Sequence, residues 1–200
     1  MDNQSRRNTI TKWHPPDVEY HKINFDGSVI GISAVVGFII RYHNGHPLVP
    51  GARKLGHNTI TVAEALIAKD ALQLAKSRNL RKIKIEGDSK IVIEAILRKC
   101  NVLWRIRAII EDLKWLASSF ESISWNHIYR EANFVAYAIT SYGHGLENLH
   151  VWVGCTPLVV SNALLFDFRG LGYCLDPILH HRPMQLRPLS EHSSQLSDEK

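Results

Sequence analysis

Apolar and polar residues alternate through Lys22-Ile23-Asn24-Phe25-Asp26, so a strand here turns Ile23 and Phe25 to one face and Asn24 and Asp26 to the other. Gly27-Ser28 follows as a turn signal. Ala34 to Arg41 is a nearly continuous branched apolar run, the pattern of a central strand covered on both faces. His43-Asn44-Gly45 predicts a hairpin turn, with His46 to Lys54 as its return strand. From Thr61 to Arg78 the period becomes helical, with Ile67, Ala68, Ala71 and Leu74 as the stripe that packs on the sheet. Lys82 to Glu86 alternates as a strand, and Gly87-Asp88-Ser89 breaks it into a second helix carrying Val92, Ala95 and Ile96. Leu103 to Ser118 predicts a third helix with its stripe at Leu103, Ile106, Ile110 and Leu113. Ile123, Trp125, His127 and Tyr129 alternate as a last strand, and Arg130-Glu131-Ala132-Asn133 opens a final helix running to about Ser141.

This order, β-β-β-α-β-α-α-β-α, predicts an α/β fold: three antiparallel strands, then parallel additions, in a five-stranded mixed sheet with helices on both faces. The polar, basic residues 1–12 are expected to be disordered, and Pro15-Pro16 gives the domain of residues 13–143 an extended entry. Residues 144–175 keep apolar character at Trp152, Leu164, Leu165 and Phe166 and read as a short extension. Residues 176–200, rich in Pro, His, Ser and charge, are expected to be disordered.

Composition narrows the class. A hydrophobic fraction of 45% in 200 residues suits one globular domain with a real core. The net charge of +5, with 11 His besides, suits a polyanionic partner. Three widely spaced cysteines, Cys100, Cys155 and Cys174, have no metal-binding spacing and imply reduced thiols in an intracellular compartment, nucleus or cytoplasm. The N-terminus lacks the apolar core of a signal peptide, and no run approaches membrane-spanning length.

Three acids carry the candidate chemistry. Asp26 lies on the first strand, Glu64 early in the first helix and Asp88 at the end of the fourth strand, where parallel strands flanking a helix bring their ends to one sheet edge. Each has a plain structural alternative: Asp26-Gly27 as a turn, Glu64 as the capping-box partner of Thr61, Asp88 as a helix N-cap. Gathered together, carboxylates repel, and such a cluster persists where divalent cations occupy it.

The ordered set Trp13-x-Pro15-Pro16, Lys22-x-Asn24-x-Asp26-Gly27-Ser28, Gly37-Phe38-Ile39-Ile40-Arg41, Ala63-Glu64-Ala65, Glu86-x-Asp88-Ser89 and His127-x-x-Arg130-Glu131-Ala132-Asn133 resembles the ribonuclease H family, in the reverse-transcriptase-like version of plant retroelement-derived proteins. The resemblance implies a ribonuclease H-like fold over about residues 13–143 and metal-dependent hydrolysis of the RNA strand of RNA–DNA hybrids. It implies Asp26, Glu64 and Asp88 as catalytic residues and ligands of magnesium, with manganese as the alternative. The implied partner is an RNA–DNA hybrid or another duplex, read through groove shape, phosphates and 2′-hydroxyls. Asn24, Ser28, Asn133 and the basic group Arg98, Lys99, Arg105 and Arg107 around Trp104 are the expected nucleic-acid contacts, although a solvated helix face explains the basic group equally well. A monomer is expected, with no membrane association.

The pattern departs from the family at the fourth acid. The final helix reads Arg130-Glu131-Ala132-Asn133-Phe134-Val135-Ala136-Tyr137, with Tyr137 where the family has aspartate. A phenol is neutral near neutral pH and a poor magnesium ligand. Glu131 points to a different helix face and does not replace it. His127, sharing a face with Ile123 and Trp125, is expected to be a core or supporting histidine rather than a proton shuttle. Two further readings stand beside the hydrolase: a non-cleaving nucleic-acid-binding module, and a protein-interaction domain.

Overall fold

The computed structural model describes residues 10–171 and 173–174, so the expectations for residues 1–9 and 175–200 lie outside the described residues. Strand β1 (Ile10–Thr11) pairs antiparallel with β8 (Tyr173–Cys174), so the end of the stretch expected to be disordered is a short strand instead, its backbone groups taken up by a partner far along the chain. The main sheet begins as an antiparallel meander of β2 (His21–Ile30), β3 (Ser33–Arg41) and β4 (Pro47–His57). Helix α1 (Ile60–Ser77) carries the chain back across the sheet to β5 (Lys82–Gly87), parallel to β2. Helices α2 (Lys90–Ile96) and α3 (Arg107–Ala117) lead to β6 (Ser122–His127), parallel to β5, and a 3-10 turn at Arg130–Asn133 leads into α4 (Phe134–Gly143). Beyond it come β7 (His150–Val151) and α5 (Leu158–Phe168).

The sheet order is β6-β5-β2-β3-β4-β7, six strands where five were expected; the extra one is the two-residue β7, too short to leave an alternation signal. Strand alternation divides the core. Ile23, Phe25, Val36, Phe38 and Ile40 face α1, α2 and α3, whereas Ile39 and Ala52 face α4 and α5. Helix α4 lies close on the sheet because Gly37 has no side chain: a Cβ there would stand 2.7 Å from the Thr140 backbone nitrogen. Leu103 is the exception to the third helical stripe, since α3 starts later than predicted and leaves it exposed.

The extension beyond residue 143 packs into the fold. Trp152, Val160, Ala163 and Leu164 are buried against α4. From α5, Asp167 reaches the sheet to pair with the fully buried Arg41, Oδ2 to Nη1 at 2.6 Å. Trp13 lies over that guanidinium, 3.6 Å from ring centroid to Cζ, and donates its indole N–H to Asn24 Oδ1 at 3.1 Å. Among the described residues no helix is long and apolar enough to cross a membrane.

Candidate functional site

Pairing register brings two of the acids together. Phe25 sits opposite Gly87 across the parallel β2–β5 pair, so Asp26 and Asp88 leave adjacent strands at the same level. Glu64 arrives from α1. Thr59, not Thr61, is the N-cap of that helix, and it makes no side-chain cap hydrogen bond. Glu64 is therefore too far along for a capping box, and its burial on the core-facing side has another cause. Gly27 makes room for it: a Cβ there would stand 2.9 Å from Glu64 Cγ. Ser89, rather than Asp88, is the N-cap of α2, so the capping explanation of Asp88 falls as well.

The site is short of donors. Both carboxylate oxygens of Asp26 and Oδ1 of Asp88 are buried with no hydrogen-bond partner, as is Oδ1 of Asn133. Burial pushes the Asp26 carboxyl well above the usual range and Asp88 and Glu64 add to the rise, while Arg130 and the nearby Thr140 hydroxyl, which bonds the Asp26 backbone carbonyl, oppose it. Burial likewise lifts Glu64 to about 7; the Ser89 hydroxyl opposes that rise, Asp88 adds to it and Arg130 opposes it. Arg130 donates from Nε to Asp88 Oδ2 at 3.4 Å, and its guanidinium lies 5.6 Å from the Tyr137 ring centroid. Tyr137 is half-buried at the fourth-acid place and stacks on Phe134, centroids 6.2 Å apart.

A folded-state carboxyl lifted from 4.5 to about 7 takes up a proton on folding, so its stabilising effect is complete below 4.5 and lost as pH rises through 7. Glu64→Gln removes that loss. In metal-free urea denaturation the variant should be more stable than wild type above neutral pH, by on the order of 3 kcal/mol, and should show a flatter pH slope. Equal stability at high pH would show that Glu64 is not desolvated here.

The other sequence candidates separate. Asn24 is fully buried, accepting from Trp13 and Arg41 and donating to Glu86, so it is a structural residue with no face for nucleic acid. Asn133 is also buried, and its amide donates to the Phe25 carbonyl at 2.7 Å, tying the 3-10 turn to β2 beside Asp26. Ser28 is half-buried two residues past Asp26. Arg98, Lys99 and Arg105 are exposed on the α2–α3 connection with Trp104, Arg107 is exposed at the start of α3, and Arg105 lies 5.2 Å from the Trp104 ring. His127 is exposed rather than in the core, because the strand ends there; its Nε2 stands 3.2 Å from the Asp88 carbonyl oxygen. Sequence reasoning passed over Arg130 and Thr140 as site residues. Arg130 stood inside the quoted motif, and Thr140, whose hydroxyl bonds the carbonyls of Ala136 and Asp26, stood beside Ser141 in an otherwise largely apolar helix.

The orphaned oxygens of Asp26 and Asp88 fit one cation. They do not fit a ready-made pair: among the described residues no three His, Cys, Asp or Glu side chains are grouped to hold a metal ion, and Arg130 and Tyr137 adjoin the acids.

A mixed sheet of this order, with acids converging from β2, α1 and β5, defines a ribonuclease H-like domain. The reverse transcriptase-like family matches residues 24–143, more than half of the chain, and the protein belongs to that family. Solved structures share the fold. RNase H1 of the halophilic archaeon Halobacterium salinarum aligns with TM-score 0.60 at 23% identity, over 62% of this chain and 97% of that one. The N-terminal RNase H domain of a Mycobacterium tuberculosis protein gives 0.59 at 22%, over 62% and 92%. LC11-RNase H1, isolated from compost by a metagenomic approach and solved with an RNA/DNA hybrid, gives 0.57 at 18%, over 61% and 94%. No curated protein matches the chain.

Proposed function

We propose that this domain binds RNA–DNA hybrids and hydrolyses their RNA strand weakly. The observation that carries the reading is the juxtaposition of Asp26 and Asp88 on neighbouring strands, with three buried carboxylate oxygens that have no hydrogen-bond partner among the described residues, and Glu64 near enough to act on Asp26 electrostatically. Magnesium, or manganese in its place, is the ion the reading calls for; Asp26 and Asp88 would hold it with Glu64 beside them, and it supplies charge neutralisation at the phosphate being cut. Ser28, half-buried two residues past Asp26, and the exposed Arg98, Lys99, Arg105 and Arg107 are the contacts this reading assigns to the duplex. A non-cleaving, hybrid-binding module is the second reading, favoured by Tyr137 at the fourth-acid place.

Phosphate-dominated binding fixes the salt dependence. The log affinity for a labelled hybrid, followed by fluorescence anisotropy, should fall against log salt by roughly 0.9 per neutralised phosphate, the double-stranded DNA value. Removing Arg105 and Arg107 together should reduce that slope by about 2. Absence of hybrid binding at low salt would overturn the proposal and favour a protein-interaction domain.

A further inference from the structure

We infer that the cavity between the start of the domain, the β3–β4 turn and the end of α5 is a binding site for a small phosphate-bearing molecule with a flat ring, a nucleotide in chemical class. The inference stands whether or not the domain binds hybrids.

The cavity lies away from the acids. Lys22 faces Arg41 across the β2–β3 pair, four residues back along the strand from Asp26, or roughly 13 Å at the rise of a strand. The turn at His43 and Asn44 lies beyond Arg41, further from the acids still. The volume of the cavity is about 260 Å³. Pockets for drug-sized ligands begin at roughly 300 Å³, so a ligand here is small. Two of the three walls, Lys12 to Pro15 and Asp167 to Gly170, lie outside residues 24–143. The cavity is therefore made by this chain's additions and not by the part matched to the family.

Its walls are held in place by the fold. Trp13 lies on the Arg41 guanidinium and donates to Asn24, and Asp167 is bonded to Arg41 at 2.6 Å. Gly45, with φ of 84°, brings the turn close to α5: a Cβ there would stand 3.1 Å from Phe168 Cε1. A site formed in advance loses less entropy when its ligand arrives.

The lining suits an anion. Lys12 brings a full positive charge, and His14 and His43 bring imidazole nitrogens from two different walls. None of these three side chains has an ion pair or hydrogen bond among the described residues. The one acid in the lining, Asp167, has its charge taken up by Arg41. Polar groups arriving from two sides match the several oxygens of one phosphate. A ring has its own place. Phe168, tilted on His46 with ring centroids 5.1 Å apart, remains 46% exposed and offers a surface on which a base can stack. Asn44 accepts from the His46 backbone N–H through Oδ1 at 3.1 Å, while its NH2 group makes no hydrogen bond among the described residues and is left for a ring acceptor. A groove of ordinary solvated side chains predicts something different: no saturable binding and no dependence on Phe168.

The test is a titration of the full chain followed by backbone amide NMR shifts, in chelator so that no divalent ion holds a phosphate at the acids. The probes are adenosine 5′-monophosphate, adenosine, inorganic phosphate and a 5′-phosphorylated single-stranded tetranucleotide. The monophosphate should saturate with a dissociation constant of about 1 mM or below and move the amides of His43 and Asn44. Adenosine and inorganic phosphate should each bind about tenfold more weakly, since each lacks one half of the contact. Lys12→Ala combined with His43→Ala should weaken the monophosphate about tenfold and leave adenosine unchanged. Phe168→Ala should weaken the monophosphate about tenfold and leave inorganic phosphate unchanged. All three residues are exposed, and thermal midpoints equal to wild type verify that the variants fold. A tetranucleotide that binds more tightly than the monophosphate assigns the site to a strand end; equal or weaker binding assigns it to a free nucleotide. Absence of saturable binding by both nucleotides, or binding that the Lys12 and His43 changes leave untouched, would overturn the inference. Inorganic phosphate binding as tightly as the monophosphate would overturn the place of the ring.

Discussion

Tyr137→Asp should cleave a labelled RNA–DNA hybrid on the order of a hundredfold faster than the wild-type chain, the typical effect of one electrostatic group at a reacting centre. The expectation follows from what tyrosine does at this place. It contributes a neutral ring, stacked on Phe134, against which the Arg130 guanidinium rests. Aspartate would add a carboxylate within reach of the cluster and take up less space. It would also draw Arg130 from Asp88, freeing Oδ2 to join the already unpartnered Oδ1. Magnesium requires near-ideal octahedral oxygen geometry, so restoring an oxygen ligand counts for more than charge alone. Initial rates on one hybrid, in magnesium and in manganese, measure the effect. Wild-type turnover equal to or above that of the variant would show that the fourth carboxylate is dispensable here.

Asp167→Ala should destabilise the protein by about 3–5 kcal/mol, the cost of removing one partner from a buried ion pair. Arg41 is the largest fully buried side chain, and its guanidinium is held by Asp167, by Asn24 Oδ1 at 2.8 Å and by the Trp13 ring. Burial pushes the Asp167 carboxyl up and the Arg41 guanidinium down, and each partner opposes the other's shift. Without Asp167 the buried cation loses its directly bonded carboxylate and keeps Asn24, the Trp13 ring and the more distant charge of Glu86, while its Nε has no partner already. Urea denaturation of the single variant should show the full loss, while Arg41→Met combined with Asp167→Leu should regain most of it. A loss of less than about 1 kcal/mol for Asp167→Ala would show that the pair behaves as a surface contact. Asp167 lies beyond residues 24–143, so the family match ends short of a residue on which the sheet depends.

Much of the fold was legible because its elements carry strong periods. The alternation around Phe25, the apolar run through Ile39 and the stripe of Ile67, Ala68 and Ala71 each mark one face, and each buries as written. What escaped was local or non-local. The true cap of α1, Thr59, has no side-chain bond to signal it, so the Thr61–Glu64 spacing imitated a capping box. Asn24 reads as a polar site residue, yet its amide serves Trp13, Arg41 and Glu86, three partners scattered along the chain that no local pattern connects. The meeting of the three acids was readable from strand order together with family resemblance. The contact of Arg130 with Asp88 was not, since the two residues are far apart in sequence and meet only after folding.

The most direct test places Asp26→Asn in the Tyr137→Asp background and follows steady-state hybrid cleavage by this double variant, Tyr137→Asp and wild type. Asn is nearly isosteric with Asp and keeps no charge, so the protein should fold while the acid cluster loses its most buried member. The cleavage gained with Tyr137→Asp should vanish in the double variant. Cleavage that persists there would mean that hydrolysis does not run through Asp26, and the site assembled from Asp26, Glu64 and Asp88 would not be where this domain acts.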